Sequence, residues 1–204
     1  ANLAILLFDT GDFAAARPLQ DRALAIQEKS LGPDHPSVAT TLGNVADLLR
    51  QEGDDAGARP LYERALAIRE RAFGVDHPDV AGDVHNLANL LTDAGDYAEA
   101  RAHYERALAI REMAFGADHP DVALSLTGLA DLLRQTGDYT GARPLYERAL
   151  AIREQSLGTD HPLVAETLEG LSVVLRSQGE TAKAEQFEAR VQAIHAKHPT
   201  NAGS

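Results

Sequence analysis

The sequence predicts an all-α solenoid in which helix pairs stack one after another. Glycines recur every 42 residues, at Gly11, Gly53, Gly95, Gly137 and Gly179. The run from Gly57 to Glu70 recurs without change from Gly141 to Glu154. Self-similarity at a fixed period of this length indicates a repeat array, in which each unit contacts mainly its neighbours and the stack presents an extended concave surface.

The first helical segment of a period is well illustrated by the residues that follow Gly53. Between Asp54 and Arg71, apolar residues recur at helical spacing: Ala58, Leu61, Tyr62, Ala65, Leu66 and Ile68. This pattern predicts one buried helical stripe, with a helix end near Gly74. Arg59 and Glu63 lie four residues apart and are expected to pair on the exposed side. A proline in the second turn is tolerated there, and it recurs as Pro18, Pro60 and Pro144.

The second helical segment follows a repeated Asp-His-Pro loop. The loop occurs four times, beginning at Asp34, Asp76, Asp118 and Asp160. We expect the aspartate to cap the helix and the proline to occupy its first turn, so that one such helix runs from Pro78 to Asp93. The four histidines belong to different periods, whose helices stack about 8–10 Å apart. Because metal ligands lie about 2 Å from the ion, these histidines are interpreted as part of the loop that starts each second helix and not as metal ligands.

Composition excludes several classes of function. The 204 residues carry a formal net charge of -12 and contain no cysteine. Nucleic acids and anionic membranes select basic surfaces, so neither is expected as a partner. Without cysteine the chain cannot form a disulfide. The sequence also lacks a set of nucleophilic catalytic residues, a phosphate-binding loop and the spacing of metal ligands. It has no apolar run of membrane-spanning length. We therefore predict a cytoplasmic protein that is not an enzyme and needs no cofactor.

The two ends of the chain carry separate expectations. Residues 1–10 align one period before residues 43–52, so the chain is expected to open inside a helix and to be a fragment of a longer protein. Four apolar residues at this end would then lack part of their cover: Leu3, Leu6, Leu7 and Phe8. The polar segment 198–204 is expected to be a disordered tail.

The repeated positions resemble the tetratricopeptide repeat, and the 42-residue period with its Asp-His-Pro loop looks like the kinesin light chain variety. Small residues stand where the family has them on the helix that follows this loop: Ala46, Ala88, Ala130 and Ser172. The tyrosines of the other helix are Tyr62, Tyr104 and Tyr146. The resemblance covers residues 1–197, with a partial repeat at 1–30 and repeats at about 36–72, 78–114, 120–156 and 162–197. It implies a right-handed superhelix of antiparallel helix pairs whose inner groove binds peptide segments of partner proteins.

A set of polar residues on the helices after the loop is predicted to line this groove. They recur at offsets of three and four, and they are Asn44, Asp47, Arg50, His85, Asn86, Asn89, Thr127, Asp131, Arg134, Glu169 and Arg176. Two interpretations of the arginines stay open, since they either contact a partner or pair with Asp47, Asp131 or Glu169. The asparagines either bond a peptide backbone or bond the next repeat. The glycines of the same helices either leave room for a ligand or allow helices to approach closely.

The leading hypothesis is a monomeric scaffold for a protein or peptide ligand. Family members that grip a C-terminal carboxylate use lysines and asparagines, but the matching places here hold Gly43, His85, Thr127 and Glu169, so such a clamp is not expected. Two alternatives remain. The array is either a regulatory arm packed against an upstream domain of a signalling protein, or a module that associates end to end through residues 3–8.

Overall fold

The fold is all-helical over the residues that the structure describes. The structure, a computed structural model, describes residues 3, 6, 7 and 10–198. Helices of 17 to 19 residues, here called the long helices, are α1 (Phe13–Leu31), α3 (Asp55–Phe73), α5 (Tyr97–Phe115), α7 (Tyr139–Leu157) and α9 (Thr181–Lys197). Helices of 16 residues, the short helices, are α2 (Pro36–Gln51), α4 (Pro78–Asp93), α6 (Pro120–Gln135) and α8 (Pro162–Ser177). The predicted all-α repeat solenoid is thereby confirmed.

The helix ends follow the sequence pattern closely, with one correction. Gly74 ends α3 with a φ of 94°, a left-handed conformation that glycine adopts without steric cost. The Asp-His-Pro loop does start each short helix, but the expectation that its aspartate is the cap was wrong. The histidine is the N-cap residue, and its Nδ1 accepts a hydrogen bond from the backbone amide two residues on. These bonds join His35 to Ser37, His77 to Asp79, His119 to Asp121 and His161 to Leu163, at 3.1–3.2 Å.

The physical reason for this correction is the position of the imidazole. Each of these histidines has extended backbone angles and directly precedes the proline of the first turn. Its side chain is therefore the acceptor nearest the first amides of the helix that lack intrahelical partners. The preceding aspartate is free for other contacts, as Asp160 shows by accepting from Lys197 Nζ at 2.7 Å.

Contacts divide the chain between Ile110 and Arg111 into two compact units, described in turn. In the first unit (residues 1–110), α2 and α3 share a core of Val38, Ala39, Leu42, Ala65 and Ile68. Leu24 of α1 packs against this core. A short helix is thus covered by the long helix before it and the long helix after it.

The second unit (residues 111–204) repeats this arrangement three periods later. Its core contains Val164, Ala165, Leu168, Val191 and Ile194, which belong to α8 and α9. Leu150 of α7 packs against this core as Leu24 does in the first unit. The same positions of the period therefore form the core in both units.

A second set of contacts links consecutive long helices. Arg64 donates to Glu28 Oε1 at 2.7 Å and to the Pro33 carbonyl at 3.1 Å. Arg106 does the same with Glu70 and the Val75 carbonyl. In the second unit, Arg148 binds Glu112 and the Ala117 carbonyl, and Arg190 reaches Glu154 and the Thr159 carbonyl. One arginine per period thus ties each long helix to the end of the preceding one.

Some expectations fall at the ends of the chain. Leu3 and Leu6 are each 58% exposed, whereas Leu7 is half-buried. Phe8 and the predicted tail beyond His198 lie outside the described residues.

Candidate functional site

The candidate site begins with an open cavity between two short helices of the second unit. This cavity, of about 470 Å³, is lined by Asp131, Arg134, Glu166, Glu169, Gly170 and Val173. The residues from α6 and those from α8 recur at offsets of three and four, so each set lies along one helical face. We call this cavity the α6–α8 pocket.

The same positions two periods earlier lie on α2 and α4 of the first unit. They are Asp47, Arg50, Gly82, His85, Asn86 and Asn89. The residues predicted for the groove therefore lie on equivalent faces of short helices, within each unit taken by itself. Ligand binding at these positions stays a prediction. The predicted side chains differ in how far they are already bonded within the chain.

The residue at the Asp47 position is bound to a tyrosine of the following long helix. Tyr62 Oη donates to Asp47 Oδ1 at 2.5 Å, and Tyr104 Oη donates to Asn89 Oδ1 at 2.6 Å. In the second unit, Tyr146 Oη donates to Asp131 Oδ1 at 2.5 Å. Burial raises the pKa of Asp47, against the hydrogen bond from Tyr62 and the charge of Arg50. These hydrogen bonds help to fix each short helix on the long helix that follows it. The oxygens that accept them therefore have less hydrogen-bonding capacity left for a ligand.

The three groove arginines are also engaged within the chain. Arg50 Nη1 lies 3.0 Å from Asp93 Oδ2. Arg134 donates to Tyr146 Oη and Asp131 Oδ1, both at 3.1 Å. Arg176 forms two bonds to Glu188, at 2.9 and 2.7 Å. Among the described residues, Asp131 is thus the one acid suggested by the sequence that binds a groove arginine directly.

Asn44 and Asn86 differ from these engaged groups. Both side chains are half-buried on the faces of α2 and α4, and neither makes a hydrogen bond to another residue that the structure describes. Their amides keep a donor and an acceptor side by side. In this they differ from Asn89, whose Oδ1 accepts from Tyr104.

His85 and Thr127 are more enclosed than a groove-lining position implies. Both are buried. The His85 ring packs edge-on against Tyr104, with 5.3 Å between ring centroids. The Thr127 hydroxyl donates to the Ala123 carbonyl at 2.9 Å. Glu169, at the same position of the period, is exposed.

The glycines of the short helices separate into two kinds. A Cβ built on Gly170 would lie 2.5–2.6 Å from ring atoms and the hydroxyl of Tyr146, so this glycine permits a close approach of α7 and α8. A Cβ on Gly43 or Gly82 would meet no atom within 4 Å. The close-approach interpretation therefore holds at Gly170 and not at Gly43 or Gly82, where room for a ligand stays a prediction.

A second cavity, in the first unit, is lined in part by Arg69, a residue that was given no role from sequence. It has a volume of about 400 Å³ and is lined by Pro36, Ser37, Thr40, Arg69, Phe73 and Asp79. Arg69 donates to Thr40 Oγ1 at 2.9 Å and to Asp83 Oδ1 at 2.5 Å. Asp83 is 3% exposed, and burial raises its pKa to about 6 even though the Arg69 charge acts in the opposite direction.

The sequence does carry a signal for the contact between Arg69 and Asp83, because equivalent polar pairs recur at the same spacing. Arg111 donates to Ser125 Oγ at 2.5 Å and Arg153 to Thr167 Oγ1 at 2.7 Å, each across fourteen residues, as in the Arg69–Asp83 pair. Gln27 and Thr41 make the corresponding bond at 2.6 Å. A polar residue near the end of each long helix thus pairs with one near the start of the next short helix.

The described residues contain neither a metal-binding cluster nor a helix fit to cross a membrane. No cluster of three or more histidine, cysteine, aspartate or glutamate side chains is arranged to hold a metal ion in that part of the chain. None of the helices between residues 10 and 198 combines the length and the apolar character that crossing a membrane requires.

Comparisons with known proteins agree with this geometry. The family model of the tetratricopeptide repeat matches residues 1–71, 38–81, 82–155 and 125–197. No curated protein matches the sequence. Among solved structures, a putative kinesin light chain with nearly identical TPR-like repeats from Podosopora anserina is similar. It is 26% identical with a TM-score of 0.76, and the match covers 98% of this chain and 95% of that one.

Two further solved structures extend the comparison. BtubC (BKLC) from P. vanneervenii is 27% identical with a TM-score of 0.82, over 99% of this chain and 83% of that one. A Rap protein complexed with competence and sporulation factor shares the fold at 19% identity and a TM-score of 0.79, over 95% of this chain and 52% of that one. The matches to the family model together span residues 1–197, so this chain belongs to the tetratricopeptide repeat family.

Proposed function

We propose that this chain is a non-enzymatic interaction scaffold that holds a peptide segment of a partner protein against the faces of its short helices. Asn44 and Asn86 carry this proposal, because their amides are half-buried on those faces without a hydrogen bond to another described residue. A side-chain amide matches the donor and acceptor of a peptide unit. The family supports the same class of function, since helical repeat arrays bind partners along extended surfaces.

The arginines of the site are bonded within the chain and the two asparagines are not. This difference favours a ligand that is held through its peptide backbone over one that is held through a row of charges. Arg50, Arg134 and Arg176 are each bound to an acid of the same chain. A ligand that used these arginines would have to displace those acids first. The asparagines offer their hydrogen bonds without such a cost.

A display selection tests the proposal. Random twelve-residue peptides are selected on the immobilised chain, and the selected peptides are mapped by the shifts of backbone amides in NMR spectra. We expect the shifts to concentrate on α2 and α4, or on α6 and α8. For peptides on α2 and α4, the double variant Asn44→Ala and Asn86→Ala is expected to bind about tenfold more weakly, the loss expected for about two hydrogen bonds.

The matched control changes two exposed residues of the long helices. Glu63 and Glu105 pair with Arg59 and Arg101 on exposed faces of α3 and α5. The double variant Glu63→Ala and Glu105→Ala is expected to bind every selected peptide as tightly as the original chain. The proposal is wrong if the selected peptides map to the long helices, or if the asparagine variant binds as well as the control.

A further inference from the structure

The inference concerns the occupant of the α6–α8 pocket and rests on the proposed function. We infer that this pocket takes a lysine or arginine side chain of the bound peptide. Its charge, its exposed valine and its contrast with the equivalent positions of the first unit each support a cationic side chain with an alkyl stem.

The wall is acidic after the internal pairs are counted. Asp131 and Arg134 bind each other, so this pair is neutral overall. Glu166 lies 3.6 Å from Arg153 Nη1, a nitrogen that already donates to the Leu163 carbonyl and to Thr167 Oγ1.

Glu169 completes the charge of the wall. It lies 3.7 Å from His195 Nε2, which is cationic only when protonated. With His195 neutral, one negative charge of the wall stays uncompensated. Both glutamates are more than half exposed, at 55% and 53%, so their carboxylates remain open to an incoming cation.

The pocket also has one apolar lining side chain. Val173 is 45% exposed and stands where α2, α4 and α6 carry Asp47, Asn89 and Asp131. Gly170 adds no side chain, so Val173 is the one apolar side chain of the lining. Lysine and arginine lay their alkyl stems on apolar surface and keep the charged head at a polar rim. A pocket that combines an exposed valine with two exposed carboxylates suits this shape better than it suits a small cation.

The equivalent positions of the first unit lack this combination. Gly82 and His85 stand in place of Glu166 and Glu169, and Asn89 stands in place of Val173. The face of α4 therefore offers neither the two carboxylates nor the valine. The preference for a cation belongs to the second unit alone, which predicts that a bound peptide carries its basic residue at one defined place.

The experiment starts from the selected twelve-residue peptides that map to α6 and α8. For each peptide, the lysine or arginine is replaced by norleucine, which keeps the stem and removes the charge. Affinity is measured by calorimetry at fixed salt for the original chain and for the double variant Glu166→Gln and Glu169→Gln. We expect norleucine to weaken binding to the original chain about tenfold, and the double variant to lose the same factor with the basic peptide but nothing with the norleucine peptide.

The outcomes separate a failure of the inference from a failure of the proposed function. The double variant Glu63→Gln and Glu105→Gln removes the same charges from the long helices and is expected to leave all affinities unchanged. If peptides map to α6 and α8 but bind equally well with norleucine, carry acidic residues at this place, or bind the Glu166→Gln and Glu169→Gln variant unchanged, the inference is wrong and the scaffold stands. If no peptide maps to the short helices, both are wrong.

Discussion

The ring of Tyr146 lies over Gly170 so closely that no side chain fits between the two helices. A Cβ at Gly170 would be 2.5–2.6 Å from the Tyr146 ring and hydroxyl. The tyrosine is fully buried, and its hydroxyl donates to Asp131. Since the ring cannot move without breaking that bond, the glycine sets how closely α8 approaches α7 beside the α6–α8 pocket.

Gly170→Ala is therefore expected to destabilise the protein, whereas Gly82→Ala is expected to stabilise it. Overpacking of a buried contact costs about 1–3 kcal/mol. A Cβ at Gly82 meets nothing within 4 Å, and replacing a mid-helix glycine by alanine gains about 0.5–1 kcal/mol. Urea unfolding measures both values, and equal signs for the two variants would refute this assignment.

The tyrosine–aspartate bond leads to a second prediction. Tyr62→Phe leaves Asp47 Oδ1 without its 2.5 Å donor in a half-buried place, which is expected to cost about 1–2 kcal/mol in the free energy of unfolding. Asp47→Val added to Tyr62→Phe is expected to recover part of this loss, because it removes the stranded carboxylate. Val173 shows that a short helix accepts valine at this position. Purely additive costs in a double-mutant cycle from urea unfolding would argue against a coupled pair.

The histidine caps give a third prediction. In α8, His161 Nδ1 accepts from the Leu163 amide at 3.2 Å. His161→Ala removes this acceptor and is expected to cost about 1 kcal/mol, whereas His161→Asn supplies a favourable cap and is expected to restore the stability. Thermal unfolding of the two variants checks this. An alanine variant as stable as the asparagine variant would mean that the imidazole contributes nothing as a cap.

Periodicity explains why the fold was predictable from sequence. The 42-residue spacing located each helix pair, and the apolar positions of one period located the core in both units. The prediction of α4 from Pro78 to Asp93 matches the structure at both ends. The positions of helices and of core residues depend on local patterns. Because each pattern recurs in every period, each copy supports the same prediction.

The candidate site was less predictable because its contacts join residues that local patterns do not relate. Arg50 binds Asp93, 43 residues away, and Arg176 binds Glu188 on the next long helix. Sequence alone placed these arginines on a groove face but did not show which acids neutralise them. Histidine rather than aspartate capping was missed for a similar reason, since both residues are acceptors and only the geometry before the proline selects one.

A last prediction concerns pH and rests on the buried carboxylate of Asp83. Burial raises its pKa to about 6, whereas in the unfolded chain an aspartate has a pKa of about 3.9. Because the folded state binds the proton more tightly, this group favours folding below pH 4, and the contribution is lost as the pH rises through 6. The neighbouring Arg69 limits the loss but does not remove it.

Asp83→Asn removes the titrating group and is expected to abolish this part of the pH dependence. The free energy of unfolding of the original chain minus that of the variant is expected to rise by about 2 kcal/mol between pH 7 and pH 4, and urea unfolding at the two pH values measures it. The reciprocal variant Ser125→Asp places a carboxylate at the equivalent position beside Arg111, which is also buried. It is expected to acquire the same dependence. If the difference for Asp83→Asn stays constant across this range, the buried carboxylate is not the source of the effect.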